Sequence, residues 1–127
     1  MLGDSARRAL ILILGLAVLL GACSGPLPTV DRITIANPTG YDLAVEVSGG
    51  NRETWLPLTV VGTGSEVVVE QVIDQGERWT FRFKHWDDPV GEVVLTRTEL
   101  EASGWRVEVP SDIQERLQQL GRPPPDE

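Results

Sequence analysis

His85 is the only histidine in this chain of 127 residues, and it opens the run His85-Trp86-Asp87-Asp88. An imidazole beside two carboxylates has the donor types for a metal ion or for proton transfer. A metal site, however, needs three or four ligands converging on one point. Neighbouring residues on a strand point to opposite sides, so this run alone cannot supply them. The residues read better as a hairpin turn at Asp87-Asp88-Pro89, with His85 closing an aromatic stripe. No Gly-x-Ser-x-Gly elbow is present. Gly62-Thr63-Gly64 lacks the rest of a phosphate loop and reads as a turn. Carboxylates are plentiful, but no spacing pairs two of them across a cleft. The expectation is a chain with no catalytic residue, no metal site and no cofactor, and therefore not an enzyme.

The aromatic residues offer a different chemistry. Trp79 and Trp105 fall in the inward phase of their segments and are expected in the core. Trp55 is out of phase with Leu56 and Leu58, and Trp86 is out of phase with Phe81 and Phe83. Exposed aromatic rings on a β-sandwich can stack on sugars or fill a groove in a protein partner. Trp55 and Trp86 are therefore the candidate ligand-binding residues.

The elements that must position them show a period of two. Ile33 and Ile35 alternate with Arg32 and Thr34, and Asn37-Pro38-Thr39-Gly40 follows as a turn. Tyr41, Leu43, Val45 and Val47 alternate with Asp42, Ala44 and Glu46. Leu56, Leu58 and Val60 continue the pattern, with Pro57 marking an edge strand. Residues 66–74 form a strand of undecided facing. Val67, Val69 and Ile73 share one face there, and Val68 and Val72 the other. Trp79, Phe81, Phe83 and His85 form the next strand, and residues 92–97 its hairpin partner. Residues 98–103 suit one helical turn, with Thr98 and Glu101 at capping-box spacing and Gly104 as its end. Trp105, Val107 and Val109 alternate once more. Ser111 and Gln114 then have the spacing of a second capping box, opening a helix whose Ile113, Leu117 and Leu120 share a face and whose end is Gly121. That face is expected to cover a sheet edge or end.

Seven short strands with regular turns predict a mainly β fold, a small antiparallel β-sandwich with a short C-terminal α-helix. The pattern loosely resembles immunoglobulin-like domains. It departs from them in having no cysteine pair and in placing its only tyrosine, Tyr41, in the second strand. A small open barrel fits the same pattern.

The beginning of the chain is of another kind. Arg7 and Arg8 precede an unbroken apolar and small-residue run, 9–22, that is too short to span a bilayer, which takes roughly 20 residues. It ends in Leu20-Gly21-Ala22-Cys23, which resembles the lipobox of bacterial lipoproteins. The resemblance implies cleavage between Ala22 and Cys23 and a diacylglyceryl thioether on the Cys23 sulfur. Under this reading, residues 1–22 are a cleaved signal peptide. Residues 23–31 are the lipidated cysteine and an extended tether, 32–121 the sandwich with its helix, and 122–127 a disordered tail.

Cleavage removes Arg7, Arg8 and Asp4, leaving 105 residues with 9 Lys+Arg against 18 Asp+Glu. A net charge of −9 opposes binding to nucleic acid. The expected partners are the membrane, through lipid on Cys23, and an envelope protein. The expected function is a membrane-anchored, extracytoplasmic binding or scaffolding module of the bacterial cell envelope, or alternatively a glycan-binding module using Trp55 or Trp86. A hydrolase has the least support. Nothing in the sequence fixes an oligomeric state.

Overall fold

A computed structural model describes residues 27–124. The predicted cleavage site at Ala22 and Cys23, the signal peptide before it and residues 125–127 lie outside the described residues. The elements run β1 (Thr29–Ala36), β2 (Leu43–Ser48), β3 (Leu56–Val61), β4 (Glu66–Ile73), β5 (Arg78–His85), β6 (Asp88–Thr96), α1 (Arg97–Ala102), β7 (Arg106–Glu108) and α2 (Asp112–Gln119). Two sheets result, one ordered β4-β1-β7 and the other β3-β2-β5-β6. The predicted sandwich with its C-terminal helix is the observed architecture, and the two separate sheets exclude the barrel.

The alternating residues explain the layers. Ile33 and Ile35 of the first sheet face Leu43, Val45, Val47, Trp79, Phe81 and Phe83 of the second, and all are buried in one core. Each inward side chain removes apolar area from water at roughly 25 cal/mol per Å². The two sheets share their ends. At the near pole, where β1 begins, lie the β4–β5 turn, the β2–β3 loop and α1. At the far pole lie the β1–β2 and β3–β4 loops, the β5–β6 turn and α2.

One pairing is not antiparallel. β7 runs parallel to β1, Ile35 opposite Val107. The reason is topological: β6 descends to the near pole, α1 turns there, and β7 must climb in the direction of β1.

The undecided facing of β4 has a physical answer. Val67, Val69 and Val72 point inward, because Gln71 takes a positive φ of 55° and resets the phase. The opposite strand resets with it: Val30 pairs with Val72 and Arg32 with Glu70, but Asp31 and Gln71 form no ladder pair. A second irregularity lies between β2 and β3. Glu46 pairs with Pro57 and Val45 with Thr59, so Leu58 is an extra residue, and Val61, not Val60, reaches the core. β3 is indeed an edge strand.

Other boundaries differ from expectation. β1 starts at Thr29, so residues 29–31 belong to the sheet rather than to a tether. The β5–β6 turn consists of Trp86 and Asp87, because His85 already pairs with Asp88. β6 thus begins four residues before the predicted 92. The capping box of α1 uses Thr96 and Glu99, not Thr98 and Glu101. Thr96 Oγ1 accepts from the Glu99 amide at 3.2 Å, and the Glu99 carboxylate accepts from the Thr96 amide at 3.1 Å. Ser111 makes no side-chain cap to α2. Its expected partner Gln114 instead accepts from the Gly40 amide at 2.9 Å, fastening α2 to the far pole.

The two sides of the sandwich are closed differently. On one, α2 lies over β6, with Ile113 and Leu117 fully buried and Leu120 left exposed. The approach is close enough that a Cβ on Gly91 would lie 2.8 Å from Ile113 Cδ1. On the other side the edge strands β3 and β4 leave an uncovered groove of about 270 Å³ lined by Leu56, Leu58, Val69, Val72 and Ile73. Among the described residues no helix is long and apolar enough to cross a membrane.

Candidate functional site

The two candidate tryptophans are not brought together. Trp55 precedes β3 at the near pole, whereas Trp86 forms the tip of the β5–β6 hairpin at the far pole.

Trp86 is the most exposed large apolar side chain among the described residues, at 71%. Its backbone has φ 57°, in the left-handed region that a bulky side chain rarely occupies. Such a conformation costs on the order of 1–3 kcal/mol and persists only where its surroundings impose it. Here the surroundings are named. The His85 ring stacks under the indole, centroids 4.5 Å apart at 28°. Tyr41 meets His85 edge-on at 5.5 Å. The Arg122 guanidinium lies 5.0 Å from the Trp86 ring centre, a cation–π distance.

Arg122 ties this group together. Its Nη1 donates to His85 Nδ1 at 2.9 Å and to the His85 carbonyl at 3.1 Å. Its Nη2 donates to the Asp88 carboxylate. Its own carbonyl accepts from the Tyr41 hydroxyl at 2.7 Å. Arginine can only donate, so Nδ1 of His85 must accept and the ring proton is assigned to Nε2. Burial pushes the His85 imidazolium below its ordinary pKa, and the Arg122 charge adds to that, against a smaller pull from Asp42 and Asp88. The ring is thus neutral at pH 7, which is the form that Arg122 requires.

His85 therefore closes the aromatic stripe of β5, as the alternation predicts, and is buried. Asp88 is a strand residue held by Arg122, not part of the turn. Among the described residues no group of three or more His, Cys, Asp or Glu is arranged to hold a metal ion. Arg122 was expected in a disordered tail, yet it is docked. The signal for this was weak: Gly121 ends α2 with φ 73°, and only the register of that helix aims the next residue at His85.

Trp55 differs. It is half-buried, and the Arg82 guanidinium covers one ring face at 4.0 Å. Arg82 is held in turn by Glu46, through Nε at 3.0 Å and Nη2 at 2.8 Å, and Lys84 stands 3.7 Å from the same carboxylate. This is a cross-strand cluster on the outer face of β2 and β5 in which the indole packs as a cover. Trp105, expected in the core, is half-buried at φ 59° and meets the buried Trp79 edge-on at 5.4 Å.

Of the predicted site residues, then, Trp86 presents a free surface, Trp55 is engaged within the fold, and Cys23 and Ala22 fall outside the described residues. Compared with known proteins, the chain matches no family model, no curated protein and no solved structure.

Proposed function

We propose that this chain is a lipoprotein of the bacterial cell envelope, anchored through lipid on Cys23, whose sandwich is a non-catalytic binding module that docks an envelope protein through the Trp86 pole. The observation that carries the reading is the exposed Trp86 ring, held at an unfavourable backbone angle and backed by His85 and Arg122. Rigid, amphipathic aromatic rings give a large contact area at little conformational entropy, which is why they dominate interface energetics.

Chain direction supports the same assignment. β1 begins at the near pole, so a lipid on Cys23 tethers that end and leaves Trp86 at the other, facing away from the bilayer. Two acyl chains, at roughly 0.8 kcal/mol per buried CH₂, make such an anchor stable. The groups best suited to move protons, His85 and Asp88, are both engaged by Arg122, which supports binding rather than catalysis.

A photo-crosslinking residue at position 86, used in intact cells and read by mass spectrometry, is expected to capture a protein neighbour that the same residue at position 60 does not. Capture of no protein, or of the same set from both positions, overturns the reading.

A glycan reading has one specific support, the open Trp86 indole with the exposed Asp87 next to it in the turn, since a ring face can stack on a sugar and a carboxylate can accept from its hydroxyls. Cell-wall fragments titrated against tryptophan fluorescence test it. A spectral change that Trp86→Ala abolishes would favour the glycan over the protein partner.

A further inference from the structure

A lipid on Cys23 sets how far the domain can stand from the bilayer, and that distance is short. Only four residue steps separate Cys23 from Leu27, a span of at most ~14 Å at ~3.5 Å per residue. The described chain continues directly into the near pole, where the Asp74 amide donates to the Pro28 carbonyl at 2.9 Å and Thr29 pairs with Ile73. Any exposed group at this pole therefore lies within reach of the headgroups.

Among the groups the near pole exposes there is an apolar rim, with Glu70 and Gln71 completing the lining of its groove. Leu27 is 67% exposed and Ile73 37% exposed. Beside Ile73 opens the uncovered groove between β3 and β4, with Leu56, Leu58 and Val72 along it. On the opposite side Ile113 and Leu117 fill the space under α2, and the opening beside its first turn, also about 270 Å³, is lined by the more polar Thr39, Ser111, Gln114 and Glu115 with Pro38.

We infer that the near pole makes a second, direct contact with the bilayer, seating Leu27, Ile73 and the open end of the β3–β4 groove among the headgroups. The inference rests on the anchoring proposed above and extends it. The lipid brings the pole to the surface, and the apolar rim fixes how the domain sits there. The mature net charge of −9 selects a zwitterionic rather than an anionic surface as the occupant. Apolar contact and a tether together also act as two linked sites, so each strengthens the other. The result is a domain with a set orientation, its Trp86 pole held outward rather than swinging on the tether.

The test uses the full-length lipidated protein in vesicles of phosphatidylethanolamine and phosphatidylcholine. With Cys23 carrying lipid, Ile73→Cys supplies the only free thiol for a nitroxide, and Asp87→Cys places one at the far pole. The Ile73→Cys label is expected to be shielded severalfold from a polar nickel relaxant while remaining open to oxygen, and the Asp87→Cys label to stay fully water-accessible. Equal polar access at both positions overturns the bilayer contact while leaving the anchor intact. Shielding that scales with protein-to-lipid ratio also overturns it, since a second copy of the chain would then cover the rim. An intact mass without lipid on Cys23 overturns the anchor and this contact together.

Discussion

Two tryptophans, each beside an arginine, end in opposite circumstances at opposite poles. Arg82 lies flat on Trp55 and is locked there by Glu46, so a ring face is spent on the protein's own surface. Arg122 and His85 back Trp86 instead, and the indole stays largely open to solvent. The same pair of residue types serves as a lid in one place and as a support in the other. What decides is the strand position: Trp55 follows a loop that folds onto the sheet, whereas Trp86 is the tip of a two-residue turn with no sheet beyond it.

This contrast can be broken at its base. Leu117→Ala is expected to have the largest effect, about 2–5 kcal/mol lost in a urea titration. It empties the contact that holds α2, and it also removes Arg122 from His85, so Trp86 should lose its fixed orientation in near-ultraviolet circular dichroism. Arg122→Ala tests the backing alone. Leaving the buried His85 Nδ1 without a donor should cost about 1–3 kcal/mol. The His85 pKa, followed by NMR, should rise towards 6.5 as the repelling charge disappears.

Acid probes the same contact without mutation. The folded-state pKa of His85 lies below its ordinary value of 6.5, so on acidification the unfolded chain takes up this proton first. Stability is therefore fully present above about pH 6.5 and falls as the pH drops from there towards the folded-state value. Protonation would put a hydrogen on Nδ1, where Arg122 donates. His85 is the only histidine, so His85→Gln should flatten the fall in stability just below pH 6.5 in pH-dependent melts.

Smaller effects sharpen the comparison between the two indoles. Trp55→Ala should cost more than Trp86→Gly, because the first removes half-buried packing and the closer cation–π contact, about 0.5–1 kcal/mol, while the second offsets the lost Arg122 and His85 contacts with a residue at ease with positive φ. Thermal melts that rank them the other way would show Trp86 to be structural. Smallest is Ser48→Ala. The Ser48 hydroxyl is buried with no partner among the described residues, so its removal should leave stability unchanged or raise it by up to about 1 kcal/mol.

Much of the molecule was legible before any coordinates. Alternation in Tyr41–Val47 and Trp79–His85 located β2 and β5 and chose their inward faces, because a sheet residue has only two sides and one of them is dry. Pro57 marked an edge, and Gly104 and Gly121 marked helix ends. Trp86 was singled out because it breaks the phase of β5. The phase of β4 was not legible, since five apolar residues fall on both faces until the backbone kink at Gln71 is known.

Composition and local pattern thus determined what depends on near neighbours: the strands, most turns, the sandwich class and the candidate indole. Tertiary structure alone decided what depends on distant ones. It brought Arg122 to His85 across 37 positions, gave Gln114 to Gly40 instead of to a helix cap, and covered Trp55 with a strand-borne arginine. The physical reason is that periodicity encodes which side of an element is buried, while hydrogen bonds between remote side chains depend on how the elements dock.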